Sequence, residues 1–213
     1  MPISIEVNGH LIADCEAKLA HFVANGGYEV YDCRGIAAEP DPDVISTQQL
    51  RLANASRRVR APLRAWRPFL DRPLPELAAI PPGVDLIASE TEAVGEALAQ
   101  LHAALARLSV PMIKDTTATQ VLYLKRPRLV PVCDRHLRRL LGIHNGRPGP
   151  ARALAVAQAL RSLGLARGDA LETLKRYSDE TTKLVLGAVP LSRARILGLL
   201  LSIEGARLSG HPY

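Results

Sequence analysis

Lys114-Asp-Thr-Thr-Ala-Thr-Gln-Val-Leu-Tyr-Leu-Lys-Arg-Pro-Arg-Leu-Val-Pro-Val-Cys-Asp134, continuing through Arg135-His136-Leu137 to Leu141-Gly142, carries most of the information in this chain. Asp115 or Thr116 opens a short helix that reaches about Leu124, and Pro127 prevents it continuing because proline supplies no amide and clashes with the preceding turn. A second helix begins near Asp134, a residue type that accepts hydrogen bonds from the first free amides, and stops at Gly142, a natural C-terminal cap.

Outward from this stretch the signals are helical. Ser46 or Thr47 caps a helix predicted to run through Arg58, with Leu50, Leu52, Ala53 and Val59 as its apolar set. Prolines 62, 68, 73, 75, 81 and 82 cut the next stretch, which holds the single tryptophan, Trp66, into short pieces. Ser89-x-x-Glu92 reads as a capping box before a stripe of Val94, Leu98, Leu101, Leu105 and Leu108, whose steps of three and four bury one face. Further helices are expected at 151–163, at 169–177 with Asp169 as cap, and at 192–207 with Ser192 as cap. The last is apolar nearly all round, as a central core helix must be. Extended structure is expected only at Ser4–Val7 and Tyr28–Asp32. The fold class is therefore all-α, with residues 1–45 as a small irregular N-terminal extension packed on a helical body of residues 46–213.

Composition narrows the function classes. A chain of 213 residues with 47% apolar residues can bury a sizeable core. The apolar run Ile196–Ile203 is too short for a bilayer span and is flanked by charges, and no signal segment is visible, so a cytoplasmic location and no membrane partner are expected. Cys15, Cys33 and Cys133 have neither disulfide arithmetic nor metal-ligand spacing and read as buried thiols. The six histidines show no HxH or HExxH pattern, and no metal is expected. Neither a phosphate-binding glycine loop nor a nucleophile elbow is present.

The net charge of +6 is unevenly placed. Arg51, Arg57, Arg58, Arg60, Arg64, Arg67 and Arg72 face only Asp71, while Lys114, Lys125, Arg126, Arg128, Arg135, Arg138 and Arg139 face only Asp115 and Asp134. Two readings follow: a phosphate-binding surface, since each neutralised phosphate releases counterions, or solvated helix faces in an arginine-rich chain. Tyr31, Asp32 and Arg34, in Tyr28-Glu-Val-Tyr-Asp-Cys-Arg-Gly35, border a pocket together with Trp66, or else form a turn held by an Asp32–Arg34 contact.

The Thr117-Ala118 pair, the Pro131-Val132-Cys133-Asp134 run and the sixteen-position spacing from Ala118 to Asp134 resemble the core of the helix-hairpin-helix DNA glycosylases over roughly residues 110–142. The resemblance implies a multi-helix orthogonal bundle, DNA as a partner, a hairpin whose amides grip phosphate, and Asp134 as the catalytic carboxylate for a flipped base. Lys114, Thr116, Lys125, Arg126, Arg128, Arg135, Arg138, Arg139, Arg57, Arg58 and Arg60 are the nucleic-acid contacts to test. Helix capping accounts for Asp134 equally well. The chain departs from the pattern at Met112-Ile113-Lys114, where the family has Gly-hydrophobic-Gly, and at Thr116, where bifunctional members carry a Schiff-base lysine. Base removal without strand cleavage is the implied activity, and no cofactor is implied because no cysteine follows Cys133 to hold an iron–sulfur cluster. The rival is a protein-interaction module that keeps the scaffold without the hairpin. Nothing in the sequence specifies a protein partner or an oligomeric state.

Overall fold

The computed structural model describes residues 2–26, 28–55, 61–143, 146 and 148–210, the side chains of 53–55 apart. Two short strands, β1 (Ile5–Val7) and β2 (His10–Ile12), pair antiparallel with Val7 opposite His10. Asn8 and Gly9 both take positive φ, 48° and 77°, which a two-residue hairpin with the right-handed strand twist requires. α1 (Cys15–Ala24) follows, then a π-helical segment at Tyr28–Arg34 that runs into α2 (Gly35–Ala37). The extended reading of Tyr28–Asp32 is thereby corrected. Tyr28, Tyr31, Asp32 and Cys33 are the buried residues of this segment, a helical rather than an alternating spacing.

α3 (Thr47–Ala55) precedes short pieces, α4 (Leu63–Trp66) and α5 (Pro75–Ala78), in the proline-rich stretch. The part of the expected 46–58 helix beyond residue 55 lies outside the described residues. α6 (Thr91–Leu108) buries Val94, Leu98, Leu101, Leu105 and Leu108, the predicted stripe. Its capping box is not formed. Ser89 Oγ instead accepts the Asp85 amide at 2.9 Å, inside a turn whose Ile87 and Ala88 amides donate to Asp85 Oδ1. α7 (Asp115–Lys125) and α8 (Arg135–Leu140) match the two helices read from the central stretch, and Gly142 ends the second with φ 67°.

α9 (Gly149–Ala166), α10 (Gly168–Thr182) and α11 (Arg193–Leu208) complete the chain. α10 starts from Arg167, so Asp169 sits in its first turn rather than at its cap, where its charge still complements the helix dipole. Ser192 caps α11 by accepting the Arg195 amide at 3.2 Å, and every residue from Ala194 to Ala206 is buried. The molecule is mostly helical. One apolar cluster runs from Ile5 to Leu201, so the N-terminal hairpin and α1 share a core with the later helices. No described helix is long and apolar enough to cross a membrane.

Candidate nucleic-acid interface

α6 and α7 are joined by a tight turn. Ile113 N–H donates to Val110 O at 3.0 Å, Pro111 occupies the second position, and Met112 occupies the third with φ 83°. A proline followed by a positive-φ residue is the pattern in which glycine ordinarily stands third, because a Cβ crowds the backbone there. Met112 adopts that conformation without being glycine, and its side chain is exposed. Lys114, exposed, is the N-cap of α7, with no side chain capping the first turn. The leading amides of α7 thus follow a lysine rather than a capping acceptor, while Asp115 in the first turn supplies the negative charge that complements the helix dipole.

The hairpin is tied to the segment ahead of α8. Thr119 Oγ1 donates to Thr116 O at 3.0 Å and accepts the Cys133 amide at 3.1 Å, which sets Asp134 next in line. Asp134 Oδ1 accepts from the His136 and Leu137 amides, both at 2.8 Å. Capping is therefore real, and Asp134 remains half-buried at the start of α8. Asp115 is gripped by Arg152 Nε at 2.7 Å and by Arg138 at 3.6 Å, while Arg138 Nε also donates to Asp134 O at 3.2 Å. The start of α9 comes close enough that a Cβ on Gly149 would lie 3.3 Å from Asp115 Cβ. Asp115 thus locks the starts of α7, α8 and α9 together. Lys114 and Arg135 are exposed at the starts of α7 and α8, and Arg139, exposed in the last turn of α8, donates to Ser209 Oγ at 3.1 Å.

Several predicted contacts lie elsewhere. Arg126 is 2% exposed, and its guanidinium donates to Ile80 O, Pro42 O, Leu77 O and Lys125 O and pairs with Asp43 at 2.7 Å. Lys125 is 5% exposed and donates to Asp41 O at 2.8 Å. Neither can reach a phosphate. The arginine fork caps carbonyls left open where loop segments end, a use that a run of basic letters does not reveal. Arg128 is exposed but paired with Asp85 at 3.2 Å. Arg57, Arg58 and Arg60 lie outside the described residues.

Of the residues expected to border a pocket, Tyr31, Asp32, Arg34 and Trp66, only Arg34 is exposed. Tyr31, Asp32 and Trp66 are fully buried. Arg195 of α11 reaches Asp32 through two hydrogen bonds of 2.8 and 2.9 Å, and the Tyr123 hydroxyl donates to the same carboxylate. Tyr31 and Tyr123 stack with centroids 5.7 Å apart, and the Arg195 guanidinium lies 4.8 Å from the Tyr123 centroid and 5.6 Å from that of Tyr31. Burial, and then the neighbouring Asp32 charge, push the Tyr123 hydroxyl well above its ordinary pKa. Burial opposes the Arg195 charge, but Asp32, Tyr123 and Tyr31 together outweigh it and raise the arginine's pKa. Arg34 pairs with Glu29 at 3.3 Å, not with Asp32. Arg195 was missed from sequence, although an arginine inside an otherwise apolar helix must find a buried counterion. All three cysteines are buried free thiols.

The segment from Tyr28 to Val189 is closed by the Tyr28 hydroxyl donating to Val189 O at 2.8 Å. A family model described as a family of unknown function (DUF6308) matches residues 28–189. The chain belongs to DUF6308. The match takes in the hairpin, Asp134 and the Asp32–Tyr123 half of the buried cluster, whereas Arg195 lies beyond it. No curated protein and no solved structure matches this DUF6308 chain.

Proposed function

We propose that this DUF6308 chain contacts nucleic-acid phosphates through the Val110–Lys114 hairpin and the leading amides of α7, with Arg135 and Arg139 of α8 flanking. The observation that carries the reading is Met112 at φ 83°, the backbone shape expected of a glycine hairpin held by a residue that pays a steric penalty to adopt it. An exposed lysine at the uncapped start of α7 supports it, since an anion shared between the ammonium and the amides would satisfy both. The scaffold is then glycosylase-like, and base removal rests on Asp134 at the start of α8.

The test is binding to labelled duplex, with and without an abasic-site analogue, across a salt series. Phosphate contact predicts affinity falling with a log–log slope of about −0.9 per contact, and the triple substitution Lys114→Ala, Arg135→Ala, Arg139→Ala should remove roughly two to three units of that slope. Absence of binding at low salt rejects the reading. For Asp134, Asn caps nearly as well as Asp, so Asp134→Asn should keep the fold and abolish base release, while Asp134→Ala should also lose about 1 kcal/mol of stability.

A second reading has its own support. Leu184 and Leu186 are each 95% exposed in the turn after α10, which suits a protein-interaction module. That module would show little salt dependence, and its partner binding would be lost in Leu184→Ser, Leu186→Ser.

A further inference from the structure

Lys125, withdrawn from the surface, borders a cavity of about 220 Å³ enclosed by the C-terminal turn of α7, α2 and the 39–42 loop, away from the candidate phosphate contacts. Its walls carry nearly as much polar as apolar surface, with Ile36, Pro42, Leu124 and Pro127 among the apolar residues and Glu39 and Lys125 as the ionisable side chains on it. That volume falls below the roughly 300 Å³ at which sites for drug-sized ligands begin, so the occupant is small.

The Lys125 side chain is almost fully buried, yet among the described residues its amine has one hydrogen bond, to Asp41 O at 2.8 Å, and no ion pair. An ammonium has three donors, and a buried one without a carboxylate partner is costly. Burial lowers its pKa to about 8, against the opposing pull of Glu39 and Asp41. The charged neighbours also decide the ligand's charge. Glu39, Asp41 and Asp43 act on the lysine against Arg126, so an uncharged carbonyl meets repulsion from neither sign of charge.

We infer that the cavity beside Lys125 binds a small aldehyde, which the lysine amine captures as a reversible imine. The nitrogen lone pair forms the C–N bond and the carbonyl π electrons move to oxygen. Loss of that oxygen as water, carrying two protons from the original ammonium, leaves a protonated imine, so that ammonium plus aldehyde gives iminium plus water with charge conserved. No oxidant or metal is needed.

The full-length protein would be incubated with pentanal and cyanoborohydride, which fixes any imine as a stable amine, and the adducts mapped by peptide mass. The chain has five lysines, Lys18, Lys114, Lys125, Lys175 and Lys183, so the distribution is readable. At pH 7 Lys125 should react at least about tenfold faster than exposed Lys114 and Lys183, because more of its amine is uncharged. Its rate should rise with a midpoint near pH 8. Ala37→Trp, at an exposed wall position, should block the adduct while leaving the amine in place. Labelling that follows exposure, with Lys125 last, would overturn the inference, as would an Ala37→Trp protein that folds by circular dichroism and labels Lys125 as before. The rate comparison on the unaltered chain stands even if that variant fails to fold.

Discussion

Asp32 and Arg195 show how a single pair can hold distant parts of a chain. They join the π-helical segment to α11 across 163 positions, fully buried and hydrogen-bonded twice. Removing one partner strands the other's charge in the core. Asp32→Ala should therefore cost about 3–5 kcal/mol, read as a lower urea midpoint, while the double change Asp32→Leu, Arg195→Met should recover much of that loss. Met112 makes the opposite prediction. Its φ of 83° penalises any side chain, so Met112→Gly should stabilise the fold by roughly 0.5–1 kcal/mol after the extra flexibility of glycine in the unfolded chain is offset. A thermal melt checks this, and a loss of stability would mean that the methionine side chain contributes packing that outweighs the strain.

At the scale of elements, α11 packs against α1, α8, α9 and α10, and glycine sets how closely α8 approaches it. A Cβ on Gly205 would lie 2.6 Å from the His136 carbonyl oxygen and 2.9 Å from its carbon, both backbone atoms that cannot turn aside. Gly205→Ala should separate α8 from α11 and lower stability by about 1–3 kcal/mol. At Gly198, on the same helix, a Cβ would meet nothing within 4 Å, so Gly198→Ala should raise stability by up to about 1 kcal/mol. Paired melting curves decide it, and equal effects at the two sites would contradict the packing. Helix positions were largely legible because apolar spacing is local: the α6 stripe, the Asp134 and Ser192 caps and the all-round burial of α11 are as read. Ser89 and Asp169 were misread because a capping residue type states that it can accept an amide hydrogen, not which amide will be offered.

For the molecule as a whole, buried ionisable groups set the response to alkali. The Cys15 thiol is pushed up from 9.0 to about 11 by burial, so between those values the folded state holds a proton that the unfolded state has lost, and stability falls as pH rises. Burial raises Cys133 and Tyr123 in the same direction. Lys125 runs the other way: its pKa of about 8 when folded, against 10.5 ordinarily, makes its contribution rise with pH between those values. Urea midpoints should hold up between pH 8 and 9, then decline from pH 9 onward, and Lys125→Met should bring the decline to lower pH. A midpoint still rising at pH 11 would show that the thiols and Tyr123 are solvated.

The candidate interface was legible in part for the same reason as the helices. Lys114, Arg135 and Arg139 sit at helix starts and exposed faces that local pattern places, and they are exposed. Lys125 and Arg126 belong to the same basic run and are buried, because their surroundings come from the 39–43 loop and residues 77–80, more than forty positions away. The sequence by itself determined the all-α class, most helix bounds and the caps at Asp134 and Ser192, since these depend on neighbours within a turn or two. Only the tertiary structure decided that Asp32 pairs with Arg195, that the Met112 turn keeps a glycine's shape, and that Lys125 faces a cavity. Which charge is buried, and against what, is set by chain segments that meet only after folding.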